Sequence, residues 1–213
     1  QYSSSFGTYT GMGTAAESAS IYWLGIDFMA KFDTWDLGFA GIYEAGSLDD
    51  NIDISAYALN LKASVKLGNF KIYGEALYTT GDEIGNTGDY EGFWYPENSG
   101  SGANYSTAEY WRKGKEWAQS PGATTNGANA VGGNGVENRM EFGLGAVFNL
   151  TKSMSLDASW WNLNLAEDNQ TGEKDLGNEI DAILTWKMMK NLSLRGIAAY
   201  MMFGDAIQQQ HAP

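Results

Sequence analysis

An apolar/polar alternation with a period of two, sustained for about ten residues at a time, constrains this chain more than any other feature. Over residues 21–32, Tyr22, Leu24, Ile26, Phe28, Ala30 and Phe32 fall on one face. Ile21, Trp23, Gly25, Asp27, Met29 and Lys31 fall on the other. A helix would scatter both sets around its axis, whereas a strand separates them. The pattern recurs over 35–45, 54–67, 70–79, 139–150, 154–161, 180–188 and 192–200, which predicts eight amphipathic strands. These spans, 8 to 14 residues, exceed the usual strand mode of about 5–6, and all but 154–161 meet the roughly 9–11 that a tilted strand needs to cross a bilayer.

Composition removes competing classes. The 213 residues carry 26 Asp+Glu against 13 Lys+Arg, a net charge of −13 that argues against nucleic acid as a partner. There is no Cys, and the single His lies at position 211, so thiolate metal sites, cysteine nucleophiles and a Ser-His-Asp triad have no residues to draw on. Catalysis is not expected. Asp157 and Glu141 could approach as a carboxylate pair, but charges in a water-filled barrel account for them without chemistry. The carboxylates of Asp49, Asp50 and Asp53, and of Asp82, Glu83, Asp89 and Glu91, lack EF-hand spacing, so no metal or other cofactor is expected. No apolar run reaches the roughly 18 residues of a membrane-spanning helix.

The links alternate between short and long. Asp33-Thr34, Gly68-Asn69, 151–153 and 189–191 read as tight turns, and 46–53, 80–137 and 166–179 as long polar links. Short periplasmic turns with long extracellular loops are the habit of outer-membrane barrels. Trp35, Phe70, Phe32 and Trp186 sit near short-turn ends, while Tyr22, Tyr43, Tyr57, Tyr78 and Tyr200 sit near long-loop ends, as two interfacial girdles would. The expected fold is therefore all-β: a transmembrane antiparallel up-and-down barrel with eight visible strands, located in the bacterial outer membrane. A soluble ligand-binding barrel is the alternative. Strand polarity leaves both ends of the chain on the long-loop side. This suggests residues 1–213 as one barrel segment of a larger wall, about 16–18 strands in all; a closed eight-stranded barrel with unusual termini is the other solution.

The stretch LGNEIDAILTWKMMKNLSLRGIAAYMMFGD, from Leu176 to Asp205, resembles the closing hairpin of the alginate-export family of outer-membrane porins. The shared features are Gly-Asn-Glu-Ile-Asp entering a strand, Lys-Asn-Leu-Ser-Leu after a tight turn, and an aromatic-Gly-Asp exit. The resemblance implies a porin of about eighteen strands with one more strand after the exit, and a lumen rich in Arg and Lys for a polyanion. This chain departs from that lining. Its candidate pore-lining residues are the acids Asp27, Asp36, Glu44, Glu75, Glu141, Asp157 and Asp181 and the bases Lys31, Lys62, Lys66, Lys71, Arg139, Lys187 and Arg195. Equal numbers of each suggest passive diffusion of small polar or amphipathic solutes rather than polyanion export.

The 80–137 insertion is far longer than a hairpin needs. It is expected either to cover the outer surface or to fold inward, with Arg112, Lys113 and Lys115 as constriction candidates. Gly143 and Gly145 would either let a neighbour approach the wall closely or relieve crowding at strong barrel curvature, and Trp161, with Tyr73 and Trp23, would either form a ligand-stacking surface or, the commoner role, fill the wall. The three long links hold sixteen acids and four bases, an acidic rim suited to divalent cations and lipopolysaccharide. A structural barrel whose loops bind other surface proteins is the second functional reading.

Overall fold

The computed structural model describes residues 20–49, 52–83, 89–93, 138–168 and 172–208. Eight strands follow one another: β1 (Ser20–Lys31), β2 (Trp35–Asp49), β3 (Ile52–Leu67), β4 (Phe70–Thr79), β5 (Arg139–Asn149), β6 (Met154–Asn164), β7 (Asp175–Met189) and β8 (Leu192–Phe203). A single helical turn, α1 (Asp205–Gln208), follows. Each strand pairs antiparallel with the next in one up-and-down sheet, β1 through β8. The fold is all-β, as the alternation predicts.

Two links are shorter than the sequence suggests. Strand β2 runs to Asp49 and β3 starts at Ile52, so the 46–53 link is mostly strand. Likewise β7 starts at Asp175, which takes Asp175–Glu179 out of the 166–179 link. Strict short/long alternation therefore fails at β2–β3. Both extensions pass a glycine held at positive φ, Gly46 at 156° and Gly177 at 117°. A Cβ there would press on the carbonyl oxygens of Ser20 and Met202 in the adjacent strands. Glycine here admits a neighbouring backbone rather than ending a strand. The short turns agree with expectation; Gly68, at φ 63°, supplies the left-handed conformation that the β3–β4 hairpin requires.

The sheet curls. Residues from all eight strands line one cavity of about 500 Å³, from Met29 and Lys31 on β1 to Arg195 on β8. A flat sheet of eight strands would be roughly 34 Å wide and could not bring its edges to one cavity. The inner face is the one that carries the charges. Glu44, Glu75, Glu141, Glu179 and Asp181 are all buried there, while Leu24, Ile26 and Leu144 on the outer face are 76%, 67% and 51% exposed. This inverts the pattern of a water-soluble domain, in which charged groups are almost never fully buried and large apolar patches are not left outside.

The outer face has two aromatic bands. Near the short turns Phe32 stacks on Trp35 with ring centroids 3.9 Å apart, and Phe70 on Phe148 at 6.0 Å. Near the long-loop end Tyr57 stacks on Tyr78 at 5.6 Å. Trp35 and Tyr43 on β2, like Phe70 and Tyr78 on β4, are eight residues apart. That spacing is roughly 27 Å along a strand and about 20 Å along a barrel axis at ordinary tilt, close to the height of a lipid-facing band. No helix among the described residues is long and apolar enough to cross a membrane.

The sheet is open. Strands β1 and β8 do not pair with each other, and nearly every residue of both is exposed on both faces.

Candidate functional site

All fourteen charged residues expected in the lumen fall on the inner face by register, and Lys31, Asp36, Lys62, Lys71, Glu75, Asp157 and Arg195 line the cavity itself. Three cross-strand or same-strand pairs hold part of this set. Lys62 Nζ lies 2.9 Å from Glu75 Oε1, and Asn60 Nδ2 donates to the same oxygen at 3.1 Å. Lys66 Nζ lies 3.7 Å from Asp36 Oδ2, to which Ser64 Oγ also donates at 3.2 Å. Arg139 donates to Glu141 at 3.1 Å within a buried part of the wall. Buried carboxylates persist where such partners offset their desolvation.

Strand β5 shows how the wall makes room for aromatics. Gly143 and Gly145 face inward two residues apart, in register with Trp161 on β6 and Tyr73 on β4 respectively. Both rings come close to the bare glycine backbone: a Cβ on Gly143 would sit 2.1 Å from the Trp161 ring, and one on Gly145 2.4 Å from the Tyr73 ring. Tyr73 thereby reaches across β5, and its hydroxyl donates to Asp157 on β6 at 2.9 Å. Lys71 stands 5.7 Å from the same ring. Trp161 donates to Ser159 at 3.0 Å and has no exposed surface. It is part of an apolar cluster with Leu163, Leu165, Leu176, Ala206 and Ile207. Trp161 therefore takes the wall-filling role rather than the stacking one, and of the three only Tyr73 lines the cavity. Tyr73→Phe is expected to lower stability by about 1–2 kcal/mol, the net value of a hydrogen bond to a carboxylate in a partly wet site. Chemical unfolding in detergent would measure it; an unchanged midpoint would show that the bridge across β5 contributes nothing.

The first part of the long insertion turns inward. Strand β3 extends beyond β4 at the long-loop end, and residues 89–93 fill the vacated edge. Tyr90 N donates to Asp53 O at 2.7 Å, Ser55 N donates to Tyr90 O at 3.1 Å, and Tyr90 forms a parallel bridge with Ile54. Phe93, buried, packs on Ala56, Ala58 and Ile42 of the inner face, where small residues leave it space. Glu91 N donates to Asp82 at 3.2 Å. Burial pushes the Asp82 carboxyl above its ordinary value; this hydrogen bond opposes the shift, and the charges of Glu91 and Glu83 add to it. The candidates Arg112, Lys113 and Lys115 lie outside the described residues.

Two inner-face features escape a sequence reading. Glu179, which sequence spacing places in a link, is an inner strand residue in register with Trp161 and fully buried. With it the described inner-face side chains of the strands number eight acids against seven bases rather than equal numbers. Tyr90 and Phe93 have no periodicity to mark them. Only their place in the aromatic cluster Tyr90–Tyr95 could have drawn attention. Among the described residues no cluster of acids or His could hold a metal ion.

Together, the curled up-and-down sheet, the exposed apolar outer face and the charged inner face define the class as a membrane-barrel wall. No family model matches the chain, and no curated protein matches it. Several solved structures resemble it. One is Pseudomonas aeruginosa OccK2 (OpdF) in complex with glucuronate, at 12% identity and a TM-score of 0.47, covering 87% of this chain and 46% of that one. Another is Acinetobacter baumannii OccAB4, at 15% identity and a TM-score of 0.45, covering 86% and 42% respectively. The chain thus spans somewhat less than half the length of each of these structures. The alginate-export resemblance of Leu176–Asp205 gains no support from the comparisons. The features behind it, a glycine bulge entering β7 and a tight β7–β8 turn, are hairpin geometry rather than a family signature.

Proposed function

We propose that this chain forms part of the wall of an outer-membrane porin that passes small polar or amphipathic solutes by passive diffusion. The carrying observation is the inverted partition of side chains: a band of exposed Leu, Ile and Phe outside, and buried, mutually paired charges inside. Lipid supplies no hydrogen bonds, so a sheet can stand in a membrane only as a closed wall. The open edges of β1 and β8 then pair with further strands, and the inner charges face water. Lipopolysaccharide would contact the long-loop rim, and residues 89–93, which pair with β3 and set Phe93 on the inner face, would begin a loop that narrows the mouth.

The test is reconstitution of the full-length protein in planar bilayers. Stepwise, ion-conducting openings are the expected result, at roughly the level of a water-filled porin lumen. A folded, membrane-inserted protein that passes no current would favour a structural barrel whose loops contact other surface proteins.

A further inference from the structure

Charges on the inner face are sorted along the strands. Within three residues of the short-turn ends lie five bases, Lys31, Lys66, Lys71, Lys187 and Arg195, and two acids, Asp36 and Asp157, a net of +3. Eight or more residues from those ends lie four acids, Glu44, Glu141, Glu179 and Asp181, and one base, Arg139, a net of −3. The ion pairs do not erase the contrast, because Lys66–Asp36 and Arg139–Glu141 each join residues of the same zone. The two zones are roughly 20 Å apart along a tilted barrel axis.

We infer that the lumen is a bipolar conduit: acidic toward the long loops, basic toward the short turns, and rectifying for ion flow. The inference rests on the porin reading and adds a directional property to it. Mobile cations collect in the acidic zone and mobile anions in the basic zone. A potential that is positive on the long-loop side drives both populations into the pore, so conductance rises. The opposite potential draws both out and depletes the junction. The same axial field orients a zwitterionic solute, with its cationic group toward the long loops and its anionic group toward the short turns. Screening sets the range over which this acts: the Debye length is about 30 Å at 0.01 M salt, longer than the zone separation, and about 3 Å at 1 M.

Current–voltage curves of the full-length protein, inserted from one side of a planar bilayer at about pH 8, test this. At about 0.01 M salt, current with the long-loop side positive should exceed the reverse current by about two-fold, and the ratio should fall to near one at about 1 M. The triple variant Lys31→Gln, Lys71→Gln, Arg195→Gln, which removes bases from the cavity lining, should abolish the low-salt asymmetry. Glu179→Gln should reduce it from the other end, and Lys71→Gln alone should reduce it in part. An open channel with linear low-salt curves overturns the bipolar reading and leaves the porin reading standing. Rectification that survives the triple variant also overturns it. Absence of any conductance overturns both.

Discussion

Leu144→Arg is expected to destabilise the membrane-inserted protein by about 2–4 kcal/mol, the cost of an arginine facing lipid near the bilayer midplane. Leu144 is the central residue of β5, on the outer face and 51% exposed. In a protein whose outer face met water, replacing so exposed a leucine by arginine would change stability by no more than about 0.5 kcal/mol. The size of the effect therefore separates lipid from water as the outer solvent. Ala40→Arg supplies the control. Ala40 is opposite Asp27 on the inner face, so the new guanidinium would meet a carboxylate and water instead of hydrocarbon. It should cost little. Folding titrations into lipid vesicles would compare the two, and similar small costs for both would sink the membrane-barrel reading along with the soluble core that it displaces.

Much of this architecture was legible because lipid and water act on alternate residues of the same strand. Where both solvents are present, the code is strict. Tyr22 to Ala30 and Met140 to Phe148 each keep one face wholly apolar, and the structure returns both as strands within a residue or two of expectation. The code lapses where β2, β3 and β7 continue past the aromatic band. There glycine and polar residues interrupt the apolar face, so Gly46, Ser47, Asp49 and Asp175 to Asn178 look like loop although the backbone ladder carries on through them. That lapse hid Glu179, and with it the sorting of charge along the lumen. It also overstated the acidic rim, since Asp49, Asp53, Asp175 and Glu179 belong to strands. Which strand face carries the charges follows from parity, because each inner charge lies an even number of residues from its inner neighbours within a strand. The seat of Phe93 was not: a residue that returns from a long insertion to fill a gap beside β3 leaves no trace in local pattern.

The two inner glycines of β5 separate wall packing from mere curvature. Gly143→Ala should cost about 3 kcal/mol, the upper end of what overpacking a fixed core exacts. Its Cβ would fall 2.1 Å from the Trp161 ring, and that ring is wholly buried among Leu163, Leu165, Leu176 and Ile207, so it has nowhere to go. Gly145→Ala meets Tyr73 at 2.4 Å, but Tyr73 borders the cavity and can swing into it at the cost of its bond to Asp157. About 1–2 kcal/mol is expected there. Gly196→Ala, on the outer face of β8 with nothing within 4 Å, should be neutral or stabilise by up to about 1 kcal/mol, since alanine restricts the unfolded chain. If glycine served only to relieve crowding in a curved wall, Gly143 and Gly145 would respond alike, and neither would depend on its aromatic partner. The ring-over-glycine account instead requires that Gly143→Ala lose most of its cost in a Trp161→Leu background, where the ring edge is gone. Unfolding midpoints for the four corners of that double-mutant cycle measure the coupling directly. Additive costs at the two positions would leave the Trp161–Gly143 contact without energetic meaning.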